Sequence, residues 1–200
     1  MPRVTATEPR QTTLRELSKS YGNVPLPAVV SAYQLPPEGH PDSYALEIAS
    51  AVLSSGESSR IYRRLVYEEQ VALNASGDAF LLEGPSIFFA FAIANQGKDI
   101  KQVASSLYDV LETVKTAPVR EEELTKAKNQ VIARFIIGRQ SMQQKADFLG
   151  EMTVKRGNPE LYNTELSNYQ KVTAEDVQRV CQKYLTTTNE TRMWVWPEKK

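Results

Sequence analysis

The residues best suited to chemistry lie in the segment SSRIYRRLVYEEQVALNASGDAF, which begins at Ser58 and changes from a helical to an alternating pattern near Gln70. Its helical part carries three arginines and two glutamates. These could bind a charged ligand or pair with one another. Arg63 and Arg64 lie one turn before Glu68, so we interpret both as solvated residues that pair with Glu68. The charges alone therefore do not identify a ligand for this helix-to-strand corner.

A second candidate site surrounds His40, the only histidine of the chain. In EGHPDSYALE, the alternating Glu38, His40 and Asp42 resemble a set of metal ligands. A zinc site needs about three or four ligands from Cys, His and carboxylates, and the single cysteine, Cys181, is remote in sequence. We favour a helix start, with Pro41 near the first turn and Asp42 favouring the positive end of the helix dipole. No catalytic or metal-ligating residue is predicted.

Cys181 falls on the apolar face of a predicted helix, so we interpret it as a small buried hydrophobe rather than a nucleophile. A Ser-His-Asp arrangement is not indicated, because one histidine in a turn singles out no serine or aspartate.

Composition excludes several classes of partner. With 41% hydrophobic and 24% charged residues, the chain can bury a substantial core. Its 24 basic and 24 acidic residues cancel, so no long-range field attracts nucleic acid or an acidic membrane. No apolar run approaches the roughly 18 to 20 residues of a membrane span, and MPRVTATEPRQTT lacks the apolar core of a signal peptide. We expect no nucleic-acid partner and no membrane span.

Apolar periodicity predicts the order strand, strand, helix, helix, strand, strand, several helices, strand. The predicted strands are TTLREL, PAVVSAYQL, residues 71–81, SIFFAFAIA and TRMWVWP. The predicted helices cover residues 42–55, 58–69, 100–114, 124 to about 155 with a bend at Gly138, 161–169 and 173–185. A capping box of Thr173 and Asp176 opens the last of these.

This order predicts an α+β domain, with a mixed or antiparallel sheet of about five to six strands and helices packed on one face. We expect residues 1–9 to form a linker or disordered lead and residues 10–200 to form a single domain.

The strand SIFFAFAIA has two unlike faces. Ile87, Phe89, Phe91 and Ile93 line one face, and Phe88 with three alanines lines the other. We expect the helices to pack against the bulky face, leaving room at the alanine-rich face for close approach to the sheet.

Several stretches together resemble a known family. They are QLPPEGHPDSYALEIASAVLSSGESSRIYRRLVYEEQVAL, PVREEELTKAKNQVIARF, NTELSNYQKVTAEDVQRVCQKYL and the closing WVWP. In this order and spacing they resemble the second domain of a half-unit in the pitrilysin/insulinase family of zinc metallopeptidases, which includes mitochondrial processing peptidase. The resemblance covers residues 10–197.

The resemblance implies a domain that works with others. Half-units of this family contain two similar α+β domains, and two half-units close around an unfolded peptide. One half carries His-x-x-Glu-His, whose glutamate activates a zinc-bound water. This chain has one histidine and cannot contain that motif. The resemblance therefore implies a non-catalytic domain without its own cofactor, with zinc in a partner catalytic domain or half-unit of the same or another polypeptide.

The resemblance also implies a functional role for the helix-to-strand corner in active relatives. In active relatives it follows the pattern Leu-x-Arg-Glu-x-x-Leu-x-Tyr-x-Val, whose Arg and Tyr help hold the substrate backbone. Here Val66 or Tyr67 stands where Arg is expected, and Leu73 stands where Tyr is expected. Leucine has no hydroxyl and tyrosine has no guanidinium. Tyr67 and Leu73 thus mark a replaced pair, substrate-binding residues stay unassigned, and we expect the corner to support architecture.

Two functions follow. The favoured one is a non-catalytic domain that helps form a peptide-enclosing chamber and contacts the peptide through backbone groups at a sheet edge. The alternative is a structural or assembly subunit, like the family relatives that serve as core proteins of a respiratory complex. An independent enzyme lacks support, since we find no nucleophile, base and orienter and no phosphate-binding Gly-rich loop. The compartment stays open, and only the resemblance suggests an exported peptidase.

Overall fold

The computed structural model describes residues 9–198, which form one mixed sheet and a layer of helices. The strands are β1 (Arg15–Tyr21), β2 (Ala28–Leu35), β3 (Ala72–Phe80), β4 (Ser86–Ala94) and β5 (Glu190–Pro197). The helices are α1 (Ser43–Ser54), α2 (Arg60–Tyr62), α3 (Ile100–Thr116), α4 (Glu121–Ile137), α5 (Met142–Arg156), α6 (Leu161–Lys171) and α7 (Ala174–Tyr184). A π-helix, Arg63–Glu68, continues α2, and a short 3₁₀ turn, Thr187–Asn189, precedes β5.

The sheet has the order β1-β5-β2-β4-β3. Strand β5 returns from the helical region to lie between β1 and β2, parallel to the first and antiparallel to the second. The other neighbours are antiparallel. The predicted α+β class with a mixed sheet and helices on one face is confirmed. The predicted linker lies outside the described residues apart from Pro9, and the single-domain boundary at residue 10 stays a prediction.

The hydrophobic core lies between the sheet and the helices. Helix α3 supplies Val103, Leu107 and Val110, which recur every three or four residues and are at most 2% exposed. Helix α7 supplies Val177 and Cys181, which are fully buried. The prediction that Cys181 is a buried hydrophobe is confirmed. No helix among residues 9–198 is both long enough and apolar enough to span a membrane.

The prediction for the two faces of β4 was wrong. Its helix-facing side chains are Phe88 and the three alanines, Ala90, Ala92 and Ala94, which are all fully buried. The bulky set faces away from the helices, and Ile87 is 38% exposed. The long side chains come from the helices instead, so small residues on the sheet let these helices approach closely. Alternation shows which residues share a face, but not which face is covered.

Three other expectations need correction. The long helix predicted from residue 124 is two helices, because Ser141 starts α5 with a capping box that includes Gln144. The helix predicted over 58–69 is mostly a π-helix. The first strand spans residues 15–21 rather than TTLREL. The predicted capping box of Thr173 and Asp176 at α7 is confirmed.

Candidate functional site

The charged corner is built by the π-helix and its junction with β3. In a π-helix the backbone hydrogen bonds join residues i and i+5, one residue further apart than in an α-helix. The side chains follow the same spacing. Arg63 Nε donates to Glu68 Oε1 at 2.8 Å, and Arg64 Nε donates to Glu69 Oε1 at 2.6 Å. The predicted pairing of Arg63 with Glu68 is confirmed, whereas Arg64 pairs with Glu69.

The junction itself has an unusual backbone. Gln70 has φ +52, the left-handed region that side chains other than glycine rarely adopt. Two residues later the pairing of β3 with β4 shifts register between Ala72 and Asn74, leaving Leu73 at the irregularity. Leu73 is 57% exposed. The backbone at this corner therefore presents Leu73 to solvent instead of packing it.

Tyr67 is also presented outward. It is 58% exposed, its ring meets Tyr62 edge-on at 5.7 Å, and its hydroxyl lies 3.4 Å from Glu57 Oε2. Val66, the other residue at the expected arginine position, packs partly against the core. The corner thus offers an aromatic ring, an aliphatic side chain and one hydroxyl already near a carboxylate.

A partly buried ion pair anchors the corner to the helical layer. Arg60 donates through Nε and Nη2 to the two carboxylate oxygens of Glu123, both at 2.9 Å, and through Nη1 to Thr113 Oγ1 at 3.1 Å. The hydrogen bond from Arg60 is the main reason that the pKa of Glu123 is lowered to about 2, against the opposing effect of burial. This forked contact ties α2 to the start of α4.

The residues around His40 form a structural cluster. Helix α1 begins at Ser43, which confirms the predicted helix start. The Asp42 carboxylate does not cap α1 but accepts from Arg179, Lys183 and the Tyr184 hydroxyl of α7, at 2.7, 2.8 and 2.8 Å. Burial raises the pKa of Asp42, but these hydrogen bonds outweigh burial and hold it well below its usual range. Asp42 therefore locks α1 to α7, and residues 9–198 hold no group of three or more potential metal ligands.

The largest feature that the sequence analysis misjudged is the side of the sheet facing away from the helices, which we call the open face. Across four neighbouring strands the register aligns Leu17, Met193, Val30 and Phe91 on this side. Residues paired across strands point to the same face, so these four form an apolar row.

Further apolar groups extend the open face. Phe89 stacks on Phe80 with ring centroids 5.5 Å apart, and on Phe91 at 6.3 Å. Phe80 is 51% exposed and Leu17 is 57% exposed. The alternating aromatics of SIFFAFAIA indicate this apolar face, but alternation does not show which side of the sheet the helices cover.

Comparison with known proteins places the chain in a family. Residues 2–131 match the family described as the peptidase M16 inactive domain. The chain belongs to this family. The description agrees with a chain that carries no catalytic residues of its own, and the resemblance to zinc metallopeptidases stated above is confirmed.

Individual relatives support the same family assignment. The chain is 26% identical over 194 residues to the zinc protease PqqE of Helicobacter pylori, covering 95% of this chain and 43% of that protein. It superposes on the crystal structure of a protease from Helicobacter pylori with TM-score 0.88 at 24% identity, over 98% of this chain and 47% of that one. The chain thus spans less than half the length of these two relatives.

A more distant match shares the fold alone. The structure of complex III2 from Candida albicans contains a chain that superposes with TM-score 0.76 at 12% identity, over 90% of this chain and 45% of that one.

Proposed function

We propose that this chain is a non-catalytic domain of a zinc metallopeptidase, and that it helps to enclose a peptide chamber together with a catalytic partner. The zinc and the His-x-x-Glu-His motif belong to that partner, which is either the remainder of the same polypeptide or a separate chain. The peptide is the substrate of the assembly rather than of this domain alone.

The open face is the observation that carries the proposal. An apolar sheet surface bearing stacked aromatic rings is costly to leave in water, and such patches commonly mark protein–protein contacts. Among residues 9–198 the helices cover only the opposite face. The chain covers only 43% of the length of PqqE, so the rest of that relative is long enough to form at least one further domain. We assign the open face to that neighbouring domain.

The corner has a supporting role in this proposal. Tyr67 and Leu73 lack the guanidinium and the hydroxyl that the active pattern uses at these positions, so they cannot hold a peptide backbone in the same way. The strand β1 offers an alternative, because it lies at the edge of the sheet and its side chains are largely exposed. A peptide could pair with the backbone of such an edge.

A reconstitution experiment tests the proposal. The chain is assayed alone and with the polypeptide encoded immediately upstream of it, or with the remainder of its parent supplied separately, for bound zinc and for cleavage of a quenched peptide library. We expect zinc and cleavage only in the mixture. Cleavage by the partner alone, unchanged by this chain, would contradict the proposal.

A matched pair of variants assigns the effect to the open face. Leu17→Glu places a charge on the open face, and Met142→Glu places the same charge on α5, where the native side chain is 81% exposed. Both positions are exposed, so both variants should fold. Association of the chain with its partner, measured without peptide so that pairing of a peptide with β1 plays no part, should weaken with Leu17→Glu and stay near wild type with Met142→Glu.

The alternative function is a structural or assembly subunit, which the fold shared with a chain of complex III2 makes worth testing. The same mixture distinguishes it. Tight association that brings neither zinc nor cleavage, and does not respond to peptide, would favour the structural function. In that case Tyr67 and Leu73 would mark a site that has decayed.

A further inference from the structure

A polar cavity of about 430 Å³ lies in the helical layer, between the start of α1, the end of α4, α5 and α6. Ionisable side chains dominate its lining, although neither the corner nor the Asp42 cluster uses them. They comprise Glu38, Glu47, Glu151, Glu165, Arg134, Arg139 and Arg156. Some of these side chains form ion pairs, whereas others have no oppositely charged group of the described chain in direct contact.

One carboxylate of the cavity is fully engaged. Glu165 is 4% exposed, accepts from the Tyr44 hydroxyl at 3.0 Å and lies 3.4 Å from Arg156 Nη1. Glu151 pairs with Lys155 of its own helix. These contacts remove Glu165, Glu151 and Arg156 from the groups that are free to meet a ligand.

Two carboxylates have no cation of the described residues in direct contact, although Arg134 opposes the raised pKa of Glu47 from a longer distance, and Lys155 and Arg156 do the same for Glu38. Glu47 accepts a hydrogen bond from the Tyr169 hydroxyl, and neither it nor Glu38 forms an ion pair within residues 9–198. Burial raises the pKa of both carboxyls. A partly desolvated carboxylate that no cation contacts directly is costly, so an ammonium that contacts it would be stabilised here.

Two guanidinium groups of the cavity also lack a carboxylate of residues 9–198 in direct contact: Arg139 is partly buried and Arg134 is exposed. Arg139 is clamped between the rings of Phe135 and Phe148, whose centroids lie 3.2 and 3.4 Å from its Cζ, and its Nη1 donates to the Phe135 carbonyl at 2.8 Å. Its Nε is buried and has no acceptor among the described residues. Neither Arg139 nor Arg134 forms an ion pair in the described part of the chain.

Two acids and two guanidinium groups thus line one cavity without a direct salt bridge between any acid and any guanidinium among them. This arrangement is complementary to a small ligand with separated charges of both signs. We infer that the cavity binds a zwitterion, namely a free amino acid or a dipeptide, with its ammonium at Glu38 and Glu47 and its carboxylate at Arg134 and Arg139.

The size of the cavity agrees with this ligand class, since small-molecule sites commonly measure roughly 300 to 1,000 Å³. Its lining is more highly charged than is usual for such sites, which suits a ligand charged at both ends. Here Tyr44 and Tyr169 meet edge-on at 5.1 Å, and Phe135 lies 6.2 Å from Tyr169, so an aromatic wall is available for a ligand side chain. The inference goes beyond the proposed function and does not depend on the open face.

Calorimetry with a defined set of ligands tests the inference. The probe is alanyl-phenylalanine with both ends free, compared with its N-acetyl and C-amide forms, and with free phenylalanine. We expect saturable one-to-one binding of the free dipeptide and at least tenfold weaker binding when either end is blocked. Free phenylalanine that binds as well would identify an amino acid as the ligand.

Two conservative variants test which residue binds the ammonium end of the dipeptide and which binds its carboxylate end. Glu47→Gln keeps an acceptor for Tyr169 but removes the charge, so it should weaken binding of the free dipeptide at least tenfold. Binding of the N-acetyl form, which has no ammonium, should stay at its residual level. Arg139→Gln should weaken binding of the free dipeptide. Binding of the C-amide form, which has no carboxylate, should stay at its residual level. Glu68→Gln, at the distant corner, is the control and should bind like wild type, with circular dichroism and thermal midpoints showing that all three fold.

Three outcomes would overturn the inference. They are the absence of saturable heat with both free ligands up to their solubility limits, equal affinity for free and blocked dipeptides, and wild-type affinity in both cavity variants. None of these depends on whether the chain joins a peptidase, so failure here and failure of the proposed function are distinguishable.

Discussion

Removing the charge of Glu123 tests the anchoring of the corner quantitatively. The Arg60 and Glu123 side chains are 20% and 21% exposed and share two hydrogen bonds of 2.9 Å. The pKa of Glu123 is lowered to about 2, about two units below the ordinary glutamate value of roughly 4.3. At about 1.4 kcal/mol per unit, this sets an upper limit of about 3 kcal/mol for the stabilisation. Because solvent reaches the cleft around the pair, we expect about 1 to 2 kcal/mol for Glu123→Gln at neutral pH.

The pH dependence gives a sharper test. A carboxyl whose pKa is lowered on folding stabilises the folded state above its unfolded pKa, and this stabilisation is lost as the pH falls towards its folded pKa. For Glu123 the window therefore runs from about pH 4.3 down to about pH 2. The difference in free energy of unfolding between wild type and Glu123→Gln should be constant above about pH 5 and shrink on acidification through that window.

Urea denaturation followed by circular dichroism, at a series of pH values, measures this difference. Glu122→Gln is the matched control, since it removes a neighbouring first-turn charge from the same helix and so carries the same helix-dipole effect. A wild-type stability for Glu123→Gln at neutral pH, or a deficit that does not change with pH, would refute the reasoning.

Three further predictions concern the backbone, the sheet and the thiol. Gln70→Gly should raise the free energy of unfolding by roughly 0.5 to 1 kcal/mol in urea titrations, because glycine adopts the left-handed conformation without strain; a loss of stability would contradict this. Ala92→Leu should lower it by about 1 to 3 kcal/mol, because this side of β4 is already filled by the helices, whereas Phe91→Leu on the open face should cost less. Burial raises the pKa of the Cys181 thiol to about 12, so a thiol reagent at mildly alkaline pH should modify it no faster than the protein unfolds; rapid modification of the native protein would show that the thiol is accessible.

Local patterns predicted much of the fold from the sequence. The three-to-four-residue spacing in α3 and the cap of Thr173 at α7 are encoded in neighbouring residues, and they were read correctly. The break before α5 was also encoded, since Ser141 and Gln144 form its capping box, but the apolar period across Gly138 obscured it. The π-helix could not be predicted from the pattern, because its hydrogen bonds span only one residue more than those of an α-helix and it covers only six residues.

The functional surfaces depend on contacts between distant residues. The face of β4 that is covered is decided by the helices that supply long side chains, so Phe91 and Ala92 could be assigned to opposite faces but not to the correct environments. The cavity joins Glu47 to Tyr169, which are 122 residues apart. No local spacing connects such residues, and only the packing of α1 against α4 and α6 brings them together.

The affinity between this chain and its catalytic partner most directly tests the central claim that the open face is an interface. Calorimetry or surface plasmon resonance would compare wild type, Leu17→Glu and Met142→Glu as binders of the same partner. If the open face is buried in the assembly, Leu17→Glu should weaken binding at least about thirtyfold, or about 2 kcal/mol, because the new charge would be desolvated without a partner, and Met142→Glu should bind like wild type. Equal binding by wild type and Leu17→Glu would contradict the account.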